Sequence, residues 1–102
     1  MMASKHDEPW TDEELECCVE IYADMVARGG TKKNISKDVF IARGLKAAPG
    51  RNRTAIVYRM QNISHLMQEH GRPIIMGWVT KPNIGSAMVP RIEALMKKHD
   101  LI

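Results

Sequence analysis

Long apolar runs, paired cysteines and phosphate-binding glycine loops are all missing from this 102-residue sequence. No uninterrupted apolar stretch reaches the roughly 20 residues that a membrane-spanning helix needs. The start of the chain, "MMASKHDEPW", is too polar for a secretory signal peptide. We therefore expect a cytoplasmic protein that has no membrane partner.

Cysteine is scarce, and its two copies, Cys17 and Cys18, are neighbours. Adjacent residues rarely meet the geometry of a disulfide, and neither cysteine has a second one at metal-binding spacing. We expect both to lie on a helix, with one facing inward and the other near the surface.

Recognisable catalytic groupings are equally absent. The four histidines are scattered, and His65 and His70 lie five residues apart, which is not the i, i+4 spacing of a helical metal pair. No glycine-rich loop follows a strand pattern, and no nucleophile comes with a base. The acidic residues near the start of the first helix are expected to be solvated and favoured by the helix dipole. The sequence thus predicts no enzyme, no cofactor and no metal site.

The charges that are present are unevenly distributed along the chain. Residues 1–28 contain eight acids and two bases, whereas residues 29–102 contain thirteen bases and four acids. The net charge of +3 therefore conceals an acidic first part and a basic remainder. This asymmetry suggests one acidic and one basic face, and a basic face often contacts phosphate.

Apolar periodicity and capping residues predict an all-α fold. Thr11 and Glu14 have the spacing of a capping box, while Ser36 and Thr54 are the expected caps of the second and third helices. Val39 and Phe40 are expected to supply apolar contacts of the second helix. The predicted helices cover about 12–28, 36–47, 54–69 and 88–99 of the printed sequence.

The domain organisation follows from these elements. Residues 1–9 are predicted to form a flexible tail, and residues 10–102 a single helical domain. Its first three helices would form a helix-turn-helix-like core. The Gly/Pro-rich segment 71–86 would form an ordered loop before the last helix. The apolar residues around Trp78 are expected to cover the open side of the bundle, because three short helices leave apolar surface to cover. The alternative is an arm that carries Lys81 and Asn83 to DNA.

The third helix is predicted to have two different faces. At about 100° per residue, its inward stripe contains Ile56, Met60, Ile63 and Met67. Arg59 falls at the edge of that stripe, where its stem can pack while its head reaches outward. The opposite face collects polar side chains, namely Thr54, Tyr58, Gln61, Asn62 and His65.

This polar face suggests contact with double-stranded DNA. Arg51 and Arg53 precede the helix, where arginine and backbone N–H groups can hold phosphate. Glutamine and asparagine can pair with adenine in the major groove, and arginine with guanine. Lys37 and Lys46 are expected to add backbone contacts. The candidate DNA-binding residues are Lys32, Lys33, Arg51, Arg53, Thr54, Tyr58, Arg59, Gln61, Asn62, His65 and Lys81.

Two resemblances point the same way. "PWTDEELECCVEIY" with "RTAIVYRM" resembles the Myb/SANT arrangement, a three-helix relative of the helix-turn-helix whose third helix lies in the major groove. "GRNRTAIVYRMQNIS" followed by "GRPIIMGWVTKPNIG" resembles a small N-terminal domain of bacterial restriction and HNH-nuclease-type defence proteins, over residues 10–86. That resemblance implies a DNA-associated accessory domain linked to restriction, phage defence or regulation.

A protein-interaction module is the alternative to DNA binding. Its acidic first helix and basic remainder would dock a complementary effector protein or a second copy of the chain. The sequence leaves both alternatives open.

Overall fold

The computed structural model describes residues 9–102, so the predicted tail, apart from Pro9, lies outside the described residues. Over this range the chain forms four α-helices and no strand, which confirms the predicted all-α class. The helices are α1 (Asp12–Ala27), α2 (Asp38–Ala47), α3 (Arg53–Glu69) and α4 (Met88–Lys98). Helix α1 contacts all three other helices, and α2 also contacts α3. None of the helices within residues 9–102 is long and apolar enough to cross a membrane.

The start of α1 carries the predicted capping box. The Thr11 hydroxyl accepts the Glu14 backbone N–H at 3.1 Å, and Glu14 Oε1 accepts the Thr11 N–H at 3.0 Å. At the other end, Gly29 has a φ of +87°, a left-handed conformation that glycine adopts without steric cost. Both ends of this helix were therefore identifiable from local residues.

The caps predicted for α2 and α3 are wrong. Asn52, and not Thr54, caps α3, because its extended backbone lets its Oδ1 accept the Ala55 N–H at 2.8 Å. Asparagine is at least as good an N-cap as threonine. Helix α2 begins after Lys37 with no side-chain cap rather than at Ser36, and the Lys37 Nζ instead donates to the Gly77 carbonyl at 2.8 Å.

The inward stripe predicted for α3 is confirmed, since all four of its members are at most 3% exposed. Helix α2 continues through Gly44. A glycine suits this position because α2 runs close to α3 there, and a Cβ would lie 2.8 Å from Ile56 Cγ2. Val39 was expected to pack inward, but 62% of it is exposed. The largest fully buried side chains besides the α3 stripe include Leu15, Val19, Tyr22, Met25, Ile75, Trp78, Ile92 and Met96.

The two cysteines divide as expected. Both are free thiols, Cys18 is buried and Cys17 is half-buried. Burial raises the pKa of the Cys18 thiol to about 12, so this thiol stays protonated at neutral pH. Neither cysteine is set up as a nucleophile.

The segment 71–86 packs onto the bundle without forming helix or strand. Ile75 is fully buried and Trp78 is 2% exposed, so both belong to the core. The Tyr22 hydroxyl joins this segment to α3. It accepts the Ile75 N–H at 3.1 Å and lies 2.8 Å from Oγ of Ser64 on α3. The Met76 N–H adds a bond to the Gly30 carbonyl at 2.8 Å.

We expect Tyr22→Phe to lower the free energy of unfolding by about 1–3 kcal/mol, because it leaves the buried Ser64 hydroxyl and Ile75 N–H without their partner. Urea denaturation followed by circular dichroism measures this change. Tyr58→Phe is the matched control, since this ring is 48% exposed. Equal stabilities of the two variants would contradict the bridging role of Tyr22.

Candidate nucleic-acid interface

Arg51 lies in the core and not in the open position expected before α3. Only 6% of it is exposed. Its Nε donates to Glu14 Oε2 at 3.1 Å, and its Nη2 donates to Glu14 Oε1 at 3.0 Å and to the Pro9 carbonyl at 2.9 Å. Its guanidinium also lies 4.6 Å from the centroid of the Trp10 ring. Arg51 therefore connects the start of α1 to the approach to α3, and the expectation of an open phosphate-binding side chain is wrong.

The same pair corrects the expectation for Glu14. This carboxylate was grouped with the solvated acids of the first helix, but it is 4% exposed. It is buried because the Arg51 guanidinium meets both of its oxygens, which offsets the cost of removing the charge from water.

Arg59 lies beside the same tryptophan, Trp10, but has no carboxylate partner within residues 9–102. Its guanidinium is 4.6 Å from the Trp10 ring centroid, and its Nη1 donates to Asn62 Oδ1 at 3.2 Å. Its Nε is sealed from solvent without a hydrogen-bond partner among residues 9–102. Burial lowers the pKa of Arg59, and the nearby charges of Arg51 and Arg91 act in the same direction.

Asn62 was expected on the outward face of α3, and this placement is wrong because the residue is 4% exposed. Its Nδ2 donates to the Lys81 carbonyl at 2.7 Å, and the Lys81 N–H donates to the Gln61 carbonyl at 3.2 Å. The chain after Trp78 therefore runs along α3 and covers part of the predicted face. Helical periodicity does not anticipate a loop that returns from outside the helix.

The remaining polar residues of α3 differ in exposure. Thr54 and Tyr58 are exposed, while Gln61 and His65 are half-buried. The His65 Nε2 lies 3.3 Å from a Glu69 oxygen. Lys81 Nζ lies 4.2 Å from the centroid of the Tyr58 ring, which places a cation beside the most exposed aromatic side chain of this face.

Two depressions flank the exposed part of α3. The first, here called the Arg59 cleft, has a volume of about 290 Å³ and lies between Trp10, the first turns of α3 and the segment 81–84. The second, the Lys37 groove, has a volume of about 390 Å³ and lies between the start of α2, α3 and Trp78. Arg53 and Gln61 line the Lys37 groove, and Arg53 Nη2 donates there to Asp38 Oδ1 at 2.9 Å.

Lys32 and Lys33 are exposed on the loop after α1. Lys33 lines a third depression together with Ser36, which also lines the Lys37 groove. The structure therefore brings Lys33 to the edge of the surface around α3. Lys37, for which only a backbone contact was expected, lines the Lys37 groove, with its Nζ 4.9 Å from the centroid of the Trp78 ring.

The acidic first helix is largely neutralised within the chain. Asp12 pairs with Arg91 at 2.8 Å, Glu16 with Lys98 at 2.6 Å, and Asp24 with Arg43 at 2.6 Å. Hydrogen bonds from Lys98 and then His99 lower the pKa of Glu16. The Lys and Arg residues that form no ion pair with an acid within residues 9–102 are Lys32, Lys33, Lys37, Lys46, Arg59, Arg72, Lys81 and Lys97.

Comparison of the chain with family models, with curated proteins and with solved structures found no match.

We expect Arg51→Ala to lower the free energy of unfolding by about 3–5 kcal/mol, because it removes the guanidinium that donates to both oxygens of the buried Glu14 carboxylate. Arg53→Ala is the matched control, since it removes an arginine from an ion pair with Asp38 whose two side chains are 59% and 80% exposed. An exposed pair of this kind contributes about 0–1 kcal/mol. Urea denaturation of both variants measures the difference, and equal effects would contradict the structural role of Arg51.

Proposed function

We propose that this chain is a non-catalytic module that binds double-stranded DNA through the surface around the first half of α3. This surface, here called the α3 surface, comprises Thr54 and Tyr58, the Lys37 groove with Arg53, and the Arg59 cleft with Lys81. The observation that carries the proposal is the charge left over after internal pairing. Lys37, Arg59 and Lys81 form no ion pair with the described acids, and all three lie on this surface.

The α3 surface is net positive because its cations outnumber its acids. Asp38 is the only acid among the described residues that line the two depressions. The Asp38–Arg53 pair is open to solvent, so Arg53 can exchange this carboxylate for a phosphate at little cost. Cations in this arrangement bind a polyanion by displacing its counterions.

The shape of the α3 surface also suits a duplex. Thr54 and Tyr58 are exposed on the first turns of α3 and line the Arg59 cleft. In a helix-turn-helix arrangement the N-terminal residues of the third helix contact base edges. Gln61 and His65 lie further along and retain part of their surface. Arg51 and Asn62 support this face from below, which replaces the direct contacts first expected of them.

The protein-interaction alternative has less support. It relied on a free acidic face on α1, but the acids at Asp12, Glu16 and Asp24 are paired with basic residues of the same chain. These internal pairs leave less uncompensated negative charge on α1 for a complementary partner. The resemblances to Myb/SANT domains and to restriction-associated domains agree with the DNA proposal, since both imply contact with DNA.

Titration of a fluorescently labelled duplex by anisotropy, at several salt concentrations, tests the proposal. We expect the double variant Lys37→Gln with Arg53→Gln to bind more weakly and to reduce the slope of log K against log salt by about 0.9 for each lost phosphate contact. Lys97→Gln is the matched control, because this exposed lysine on α4 is also without an ion pair in residues 9–102.

Two results would contradict the proposal. One is the absence of duplex binding at low salt by protein that is folded by circular dichroism. The other is a double variant that matches Lys97→Gln in both affinity and salt slope, because the α3 surface would then contribute nothing to binding.

A further inference from the structure

Arg59 is half-buried, and its positive charge has no counter-ion among residues 9–102. The two arginines whose charges act on Arg59 are Arg51 and Arg91. They have carboxylate partners in Glu14 and Asp12, respectively. Among residues 9–102, Arg59 contacts the neutral amide of Asn62 and the Trp10 ring but no carboxylate. Buried charges in proteins are normally paired, because desolvation of an unpaired charge is costly. An anion that enters the Arg59 cleft would remove this cost.

Lys81 places a second unpaired cation on the same cleft. Its ammonium lies over the Tyr58 ring, 4.2 Å from the centroid. A lysine ammonium is a point charge on a flexible stem, so it can turn from the ring toward an anion. Apart from Arg51, whose charge Glu14 neutralises, the cleft is therefore lined by two cations and by no acid of residues 9–102.

The two cations of the cleft indicate the charge of the anion that would complement them. A phosphate monoester carries about −1.5 to −2 at pH 7, which matches the combined charge of Arg59 and Lys81. A phosphodiester within a nucleic-acid backbone carries a single negative charge and would leave one cation uncompensated. The charge balance of the cleft thus favours a terminal phosphate.

The remaining space indicates what the phosphate is attached to. The cleft volume of about 290 Å³ is more room than an inorganic phosphate fills. Tyr58 and Ile84 supply apolar surface, while Thr54 and Asn83 supply hydrogen-bonding groups. The start of α3 lies on the same wall, and helix N-termini favour anions. A sugar and a base suit such a mixed lining.

We infer that the Arg59 cleft binds the terminal phosphate monoester of a nucleotide, with Arg59 and Lys81 as its phosphate-binding groups and Tyr58 beside the sugar or base. The ligand is either a free mononucleotide or a phosphorylated DNA end, which share this chemistry. The inference rests on the proposed function, since the cleft is part of the α3 surface, but it concerns a different ligand group from the duplex backbone.

Fluorescence of Trp10 provides the direct assay, because Trp10 lines the cleft whereas Trp78 is buried outside it. Four probes are titrated separately: adenosine monophosphate, cyclic adenosine monophosphate as the diester, adenosine and inorganic phosphate. We expect saturable binding of the monophosphate, with each of the other probes weaker by about tenfold or more, the loss expected for one charge-assisted hydrogen bond.

Lys81→Gln is expected to weaken binding of adenosine monophosphate by about tenfold, and Lys97→Gln to leave it unchanged. Arg59→Gln is expected to act in the same direction as Lys81→Gln. Because Arg59 also packs on Trp10, the surface variant Lys81→Gln decides the matter if Arg59→Gln does not fold. The inference would be overturned if adenosine monophosphate showed no saturable binding, or if the diester, adenosine or inorganic phosphate bound as tightly as the monophosphate. It would also be overturned if Lys81→Gln left binding of the monophosphate unchanged.

DNA probes identify the source and separate the two proposals. A duplex with phosphorylated ends that binds better than the same duplex with hydroxyl ends, and loses that advantage in Lys81→Gln, identifies a DNA end as the ligand. Equal binding of the two duplexes, together with binding of the monophosphate, identifies the free nucleotide. A closed dumbbell duplex has no ends, so its binding without nucleotide binding would overturn the inference and leave the proposed function standing. Binding of the nucleotide without binding of the dumbbell would overturn the proposed function and leave the inference about the Arg59 cleft standing.

Discussion

The buried pair of Arg51 and Glu14 is the interaction on which the rest of the structure depends. Glu14 Oε1 accepts both the Thr11 N–H that begins α1 and the Arg51 Nη2, so one oxygen serves a helix cap and a long-range ion pair. Arg51 then reaches the Pro9 carbonyl and lies on the Trp10 ring. The start of α1 and the approach to α3 are thereby held at one point. The hydrogen bonds around the two charges offset the cost of burying them.

This pair also decides the charge of the candidate site. Arg51 and Arg59 lie at the same distance, 4.6 Å, from the Trp10 ring centroid, yet within residues 9–102 only Arg51 faces a carboxylate. One guanidinium therefore stabilises the fold while the other keeps its charge available to the cleft. Elsewhere Asp12, Glu16 and Asp24 of α1 are matched by bases from α2 and α4. The net positive charge that remains at α3 is what these pairs leave, and the linear charge distribution alone does not show it.

Several features that depend on neighbours in sequence were predictable, although the caps of α2 and α3 were not, and features that depend on distant neighbours were missed. The α1 capping box and the inward stripe of α3 follow from spacing along one helix, and both are present. Glu14 and Asn62 have local patterns typical of solvated residues, but each is buried by a partner more than fifteen residues away, Arg51 and Lys81. The position of Arg51 depends on Glu14 in the same way. Candidate site residues on α3 were therefore identified as a set, while their division into supporting and exposed members required the tertiary contacts.

The bond from the Asn62 amide to the Lys81 carbonyl has a consequence for recognition. Together with the bond from the Lys81 N–H to the Gln61 carbonyl, it fastens the returning chain to α3 through both backbone polar groups of one residue. Helix and loop then approach a ligand as one body, with little freedom to adjust their spacing. On the proposed function, the duplex must supply the adaptation by changing its groove width or bending. Selectivity would then depend partly on how easily a given base sequence deforms, even at base pairs that no side chain touches.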